Sequence, residues 1–285
     1  MSKIYSILLL SALLLSSCEL IYVRGALGIG IDNVNSRYEF SNSQNFNCGF
    51  SSLAVGADEY RVYAAADFHT GKGGLSSNQA TFLQAVNDDA GAVCCLSIGD
   101  MVSGEKQAYE NYSAVLRNFP EVNHAACVGN HELYFEGWPY YKEMFGSSIY
   151  YFEVATPNYK DIFICLDSGS GTLGTSQTVW LKDLLERERR NYRNCIVFTH
   201  TNFTCKDLSQ GTTGSFVLEE TYALFRLFST YNVSMVLSGH DHYFEDSTVQ
   251  GVRYITLDAA KDNVKNASFL KINCSDSISY EIVKL

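Results

Sequence analysis

The sequence predicts an α/β fold, and three observations carry that prediction. From Glu59 onward, short apolar runs alternate with longer stretches of helical period. The short runs are apolar almost without interruption, as strands are when both faces of their sheet are covered. The stretches between them are longer than the runs they connect, as helices on the faces of a sheet are.

Taken in order, the predicted strands are 60–66 (YRVYAAA), 92–98 (AVCCLSI), 124–128 (HAACV), 161–167 (DIFICLD), 194–199 (NCIVFT) and 233–238 (VSMVLS). Helices are predicted at about 77–88, 105–118, 176–190 and 216–230. The clearest is TVWLKDLLERERR, where Trp180, Leu181, Leu184 and Leu185 form one apolar stripe opposite a charged face, so the stripe belongs to the core. After Asp246 only strands follow, VRYITLD, SFLKIN and ISYEIVKL, expected to pair antiparallel at one side. Residues 18–58 are rich in Asn, Ser and Gly and lack a strong period; they read as a linker or a small hairpin extension ahead of a domain at 59–285. No internal repeat is present.

Composition narrows the function. The 285 residues are 46% hydrophobic and 13% aromatic, enough for a sizeable core. Thirty-one acidic against 21 basic residues leave a formal charge of −10 with no long basic run, which excludes a general nucleic-acid binder.

Lys3 and the apolar run 7–15 read as an export signal spanning 1–17, far short of the ~20 residues of a membrane-spanning helix. The run ends in Leu15-Ser16-Ser17-Cys18, which resembles the lipobox of bacterial lipoproteins. That resemblance implies a lipid on Cys18 and an exported protein tethered to the periplasmic or cell-surface side of a membrane; the alternative is a plain secretory signal in which Cys18 is incidental. Of the other eight cysteines, Cys94, Cys95, Cys127, Cys165 and Cys195 sit in apolar runs and behave as small hydrophobes. Cys48, Cys205 and Cys274 lie in more polar surroundings and are the disulfide candidates. No CxxC pair occurs, which disfavours a thiolate zinc site.

The chemistry is expected where ligands bind open α/β sheets, beyond the carboxyl ends of the strands. Those ends read Asp67-Phe68-His69, Gly99-Asp100, Gly129-Asn130-His131-Glu132, His200 and Gly239-His240-Asp241-His242. Five of the six histidines fall there, His124 being the exception. Each alone reads as an ordinary loop imidazole, but the set reads as a metal site. Imidazole, carboxylate and amide oxygen suit Mn, Fe, Zn, Co or Ni. In an extended segment, Asp-x-His and His-x-His each put two donors on one face, with Asp241 then pointing away. A carboxylate from mid-sheet can bridge two ions ~3.5–4 Å apart, the spacing of two-metal phosphoryl chemistry.

The ordered motifs D-F-H, G-D, G-N-H-E, H and G-H-D-H resemble the calcineurin-like metallophosphoesterase family over residues 59–285. The resemblance implies a four-layer α/β/β/α sandwich, two metal ions and a phosphoester substrate. It implies Asp67, His69 and His242 as ligands of one metal, Asn130, His200 and His240 as ligands of the other, and Asp100 as the bridge. His131 would stand over the substrate as general acid or transition-state stabiliser. Gln177 followed by Trp180-Leu181 matches the family's helix pattern. The chain departs from purple acid phosphatases, whose iron-binding tyrosine is replaced by Ser103, and from protein Ser/Thr phosphatases, since Asp100 continues as Met-Val-Ser-Gly. The expected activity is phosphoester hydrolysis, with diesters favoured over monoesters. The rival is a ligand- or host-binding surface lipoprotein with a non-catalytic metal site.

Two further motifs read as loops. Gly169-Ser-Gly-Thr-Leu-Gly174 matches G-x-G-x-x-G, but no acidic strand end follows at the distance of a dinucleotide site, so it is expected to be a flexible loop near the centre. TGKGGLSS (70–77) lacks P-loop spacing and is expected to shape the cleft wall, with Lys72 within reach of a substrate phosphate.

Overall fold

The apolar runs are strands in the computed structural model, which describes residues 33–204 and 216–285. In chain order the elements are α1 (Val34–Ser43), β1 (Ser52–Ala54), β2 (Tyr60–Ala65), α2 (Ser77–Asp88), β3 (Ala92–Ile98), α3 (Lys106–Leu116), β4 (His124–Cys127), a 3-10 segment (His131–Glu136), α4 (Trp138–Phe145), β5 (Tyr150–Ala155), β6 (Lys160–Leu166), α5 (Gly174–Glu188), β7 (Cys195–Thr199), α6 (Leu218–Thr230), β8 (Met235–Ser238), β9 (Glu245–Val249), β10 (Val252–Thr256), β11 (Ser268–Cys274) and β12 (Ile278–Lys284). They form a five-stranded sheet in the order β12-β11-β2-β3-β4 and a seven-stranded sheet in the order β1-β5-β6-β7-β8-β10-β9.

Three apolar cores separate four layers, the α/β/β/α arrangement that the resemblance implies. Between the sheets, Val62, Leu96 and Ile98 of one meet Phe152, Phe163 and Leu237 of the other. Alternate residues of the five-stranded sheet, such as Tyr63 and Cys95, pack on Phe82, Tyr109 and Tyr141 of α2, α3 and α4. Those of the seven-stranded sheet, such as Ile164 and Val197, pack on Leu181, Leu185 and Leu224 of α5 and α6. Side chains alternate across each strand, so a strand buried on both faces is apolar nearly throughout; β3 and β7 depart only at Ser97 and Thr199, whose hydroxyls are hydrogen-bonded inside the fold. The helix stripe of Leu181, Leu184 and Leu185 is core, as its period predicts.

Several expectations change. The late strands do not lie together: β10 pairs parallel with β8 in one sheet, while β11 pairs antiparallel with β2 and β12 in the other. The stretch read as a linker or hairpin contains α1, capped by Asn33, whose side chain accepts from Ser36 N at 3.1 Å. The buried residues of α1 are Val34, Arg37 and Ser41. A buried face that is two-thirds polar has no hydrophobic period to detect. Arg37 is fully buried and pairs with buried Asp167, its Nε 2.6 Å and its Nη2 2.9 Å from the two carboxylate oxygens, and donates to Ser170 Oγ at 3.0 Å. The aromatic stretch after His131, LYFEGWPYYKEMF (133–145), which reads as a cleft wall or a surface-packed helix, is split. Trp138 and Tyr141 are core residues of α4, whereas Tyr134 stays beside the histidine.

Cys274 is buried and free, and Cys48 is also free; both pack in or against the core between the sheets. A disulfide involving either is therefore absent among the described residues. Cys18, Cys205 and the signal segment lie outside the described residues. No helix of the described residues is long and apolar enough to cross a membrane.

Candidate metal centre

All the predicted donors lie just beyond strand carboxyl ends: Asp67 and His69 after β2, Asp100 after β3, Asn130 and His131 after β4, His200 after β7, His240 and His242 after β8. Glycines let the loops approach. A Cβ on Gly129 would strike Asp100, and one on Gly239 would strike Asp67 Oδ2 and Ala66.

The local geometry is not the extended one expected from Asp-x-His and His-x-His. Asp67, His69, Asp100, His240 and His242 all have left-handed φ, between 46° and 72°. Each non-glycine residue held there costs on the order of 1 kcal/mol, and such strain collects where the surrounding structure imposes it. The donors of each pair converge because the chain turns back at each of them, not because alternate side chains share a pleat. Asp241 nevertheless stays out of the cluster, its carboxylate accepting from Asn202 Nδ2 at 3.0 Å.

Three groups of donors come together, each with its ligand atoms within 4.8 Å of one another: Asp67, His69 and His242; Asp100, His200 and His240; and His69, Asp100 and His131. In the first, His69 Nε2 and His242 Nε2 are 3.0 Å apart, with Asp67 Oδ1 3.8 and 3.3 Å from them. Asp67 Oδ2 accepts from His240 N at 2.9 Å, while buried Oδ1 has no aligned hydrogen-bond donor. In the second, His200 Nε2 lies 3.3 Å from Asp100 Oδ2, 3.2 Å from Asn130 Oδ1 and 3.2 Å from His240 Nδ1. Asp100 joins the groups. Its Oδ1 accepts from His131 N at 2.8 Å, and its Oδ2 faces His200, His69 and His131, the latter two at 3.9 Å.

This donor set fits cations. His200 Nδ1 lies 3.0 Å from the Ile98 carbonyl, which can only accept, so Nδ1 carries the hydrogen. In the neutral ring, Nε2 then turns a lone pair toward a carboxylate oxygen and an amide oxygen. Lone pairs meeting at about 3 Å need a positive charge between them. Without a cation a proton supplies that charge: burial opposes a charged His200, but the charge and hydrogen bond of Asp100, together with Asp67 and the Ile98 carbonyl, push the ring up to about 10. Burial likewise opposes the Asp100 carboxylate, and His200 holds it below the usual range. Burial lowers His69 to about 4 and also lowers His131 and His240, whereas the bond to Asp67 raises His242. His131 keeps about a third of its side chain exposed, at the open edge of the centre.

Sequence reasoning assigned no role to Glu132, and placed Tyr134 only among the aromatics of LYFEGWPYYKEMF, read as a cleft wall or a surface-packed helix. Glu132 is fully buried and accepts from the backbone N–H groups of Gly129 (2.7 Å), Asp100 (2.8 Å) and Val102 (3.0 Å), tying the second and third donor loops together. Burial and the charge of Asp100 push its carboxyl up, to about 8, against the pull of those donors. The available signal was its position directly after His131. Tyr134 accepts from Asn130 Nδ2 at 2.9 Å. The loop at 169–174 is packed rather than flexible: Gly169 presses on the Gly129 backbone, Leu173 is buried, and Gln177 of α5 bonds both the N–H and the carbonyl of Asp167. Lys72 turns to Glu105, 3.8 Å away, and is largely exposed. His124 lies elsewhere, bonded to Ser97 Oγ at 2.8 Å.

A profile of the calcineurin-like phosphoesterase family matches residues 60–244, more than half of the chain. Solved structures share the fold. A dimetal phosphatase from Danio rerio superposes with a TM-score of 0.64 at 13% identity, covering 79% of this chain and 96% of that one. A purple acid phosphatase from yellow lupin (Lupinus luteus) gives 0.58 at 14%, covering 79% of this chain and 52% of that one. GAP50, described as the anchor in the inner membrane complex of Plasmodium, gives 0.55 at 15%, covering 79% and 84%. No curated protein matches the sequence significantly. With the profile match, two sheets between helices and a donor cluster at their carboxyl edge, the chain belongs to the calcineurin-like phosphoesterase family and is a metal-dependent phosphoesterase.

Proposed function

We propose that the chain hydrolyses phosphate esters, diesters in preference to monoesters, at a centre of two first-row metal ions. Asp67, His69 and His242 would hold one ion, Asn130, His200 and His240 the other, with Asp100 between them. The observation that carries the reading is the setting of Asp100 Oδ2: a buried carboxylate oxygen facing His200, His69 and His131. Ions bound there would supply Lewis-acid charge to phosphate oxygens and acidify a water.

The chain's own residues do the rest. The fully buried Asp67 and His200 and the nearly buried Asp100 keep the donors dry, which strengthens their hold on charge. His131, anchored through its N–H to Asp100 Oδ1 and exposed at the rim, is placed to donate a hydrogen to the leaving oxygen. Diesters are favoured because the chain resembles the smaller Asp-x-His members of the family, and the half-exposed His242 leaves room beside it for a second organic group.

Chelator-stripped protein is expected to lose hydrolysis of bis-(p-nitrophenyl) phosphate and p-nitrophenyl phosphate and to regain it with Mn²⁺, the diester reacting faster. Tight metal binding without turnover on any phosphoester would favour the rival, a surface protein that binds a ligand or host partner.

The lipobox-like run ending at Cys18 supports export and lipid tethering at a periplasmic or cell-surface membrane face. Cys18→Ala is expected to abolish lipidation and to alter both processing and membrane fractionation. Unaltered fractionation refutes the anchor.

A further inference from the structure

We infer that Tyr134 is a positioning residue of the metal centre, its hydroxyl holding the Asn130 amide with Oδ1 toward His200 and Asp100. The inference rests on the two-metal reading above. An asparagine amide has one accepting and one donating end, and a half-turn of the terminal torsion exchanges them. Only the oxygen can ligate a cation. As the amide stands, Oδ1 is the end that faces the centre, 3.2 Å from His200 Nε2. An inverted amide would withdraw that oxygen and turn toward the centre an NH2 group that cannot ligate a cation.

The contact at the other end of the amide comes from further along the chain. Asn130 has helical backbone angles and leads directly into the 3-10 segment His131–Glu136, which leaves the helical path at Tyr134 and Phe135. There the Tyr134 hydroxyl accepts from Asn130 Nδ2 at 2.9 Å, anchoring the amide by its outer end while Oδ1 faces His200. The tyrosine is itself held. Its ring packs 4.7 Å from the His131 ring, and its backbone carbonyl and Cβ lie so close to Gly104 that any side chain there would meet them. Hydrogen bonds that orient a ligand in this way typically contribute 10–100-fold to metal affinity.

The test is calorimetric titration of Mn²⁺ into the metal-stripped full-length chain, comparing wild type with Tyr134→Phe, which keeps the ring against His131 and removes only the hydroxyl. Wild type is expected to bind two ions. The variant is expected to bind one with unchanged affinity and the other 10–100-fold more weakly, with the melting temperature of the metal-free protein unchanged. Two ions bound by the variant as tightly as by wild type would overturn the inference while leaving the two-metal reading standing. So would a fall in the metal-free melting temperature accompanied by equal weakening of both ions, the mark of a merely structural role. Fewer than two ions in the wild type would defeat the two-metal reading, and the inference with it.

Discussion

His131→Ala is expected to keep both metal ions and lose about 10²–10⁴-fold in turnover, the usual contribution of a positioned acid. The asymmetry follows from its place. His131 stands at the edge, Nε2 3.9 Å from Asp100 Oδ2, whereas the two main donor groups close without it. The link between His131 and Asp100 is the backbone N–H, which alanine retains, so the loop stays anchored at 2.8 Å. Asp100→Asn should behave in the opposite way, losing metal first, because it removes the one carboxylate common to two of the donor groups. Metal analysis alongside steady-state hydrolysis separates the two. Unchanged turnover in His131→Ala, or loss of its metals, sinks the assigned role.

The second large effect is on stability. Arg37→Met is expected to cost about 3–5 kcal/mol, because it leaves Asp167 buried with its charge uncompensated. For a chain of this size that corresponds to a fall in melting temperature on the order of 10 °C. Arg37 reaches from α1 to the loop after β6, which carries Ser168 and Ser170 and presses on Gly129 beside Asn130. Denaturant unfolding of Arg37→Met and of Arg37→Met/Asp167→Leu tests this. The double variant should recover much of the loss, since an apolar pair leaves no buried charge. A single-variant loss below about 1 kcal/mol would show that the pair is dispensable.

These two residues mark the boundary of what a linear reading detects. His131 was legible because strand ends can be located from apolar runs, and a scarce residue type concentrated at those ends is hard to attribute to chance. Arg37 was not legible. It lies on a helix whose inward face is Val, Arg and Ser, and periodicity methods register only apolar faces. Its partner is 130 residues away, and nothing in either segment announces the other. Strand β5 was missed for a related reason: its alternating burial gives a short, mixed run that follows α4 almost directly.

The sequence by itself determined most of the strands and helices and which residues gather beyond the strand ends. Strands buried on both faces must be apolar nearly throughout, helices must carry a stripe, and the chemistry must come from whatever follows the strands. Asp241 does stand apart from its two histidine neighbours as expected, but through left-handed turns rather than the alternation of an extended segment. The tertiary structure alone decided how the donors meet. Five of them turn inward through left-handed backbone, a conformation that neighbouring loops impose and that no local propensity favours. It decided as well that the late strands divide between two sheets, since pairing partners are chosen by long-range register and packing rather than by proximity in the chain. Finally, it revealed the hydroxyl behind Asn130, because a tyrosine in an aromatic stretch becomes a positioning group only once its oxygen is seen 2.9 Å from an amide.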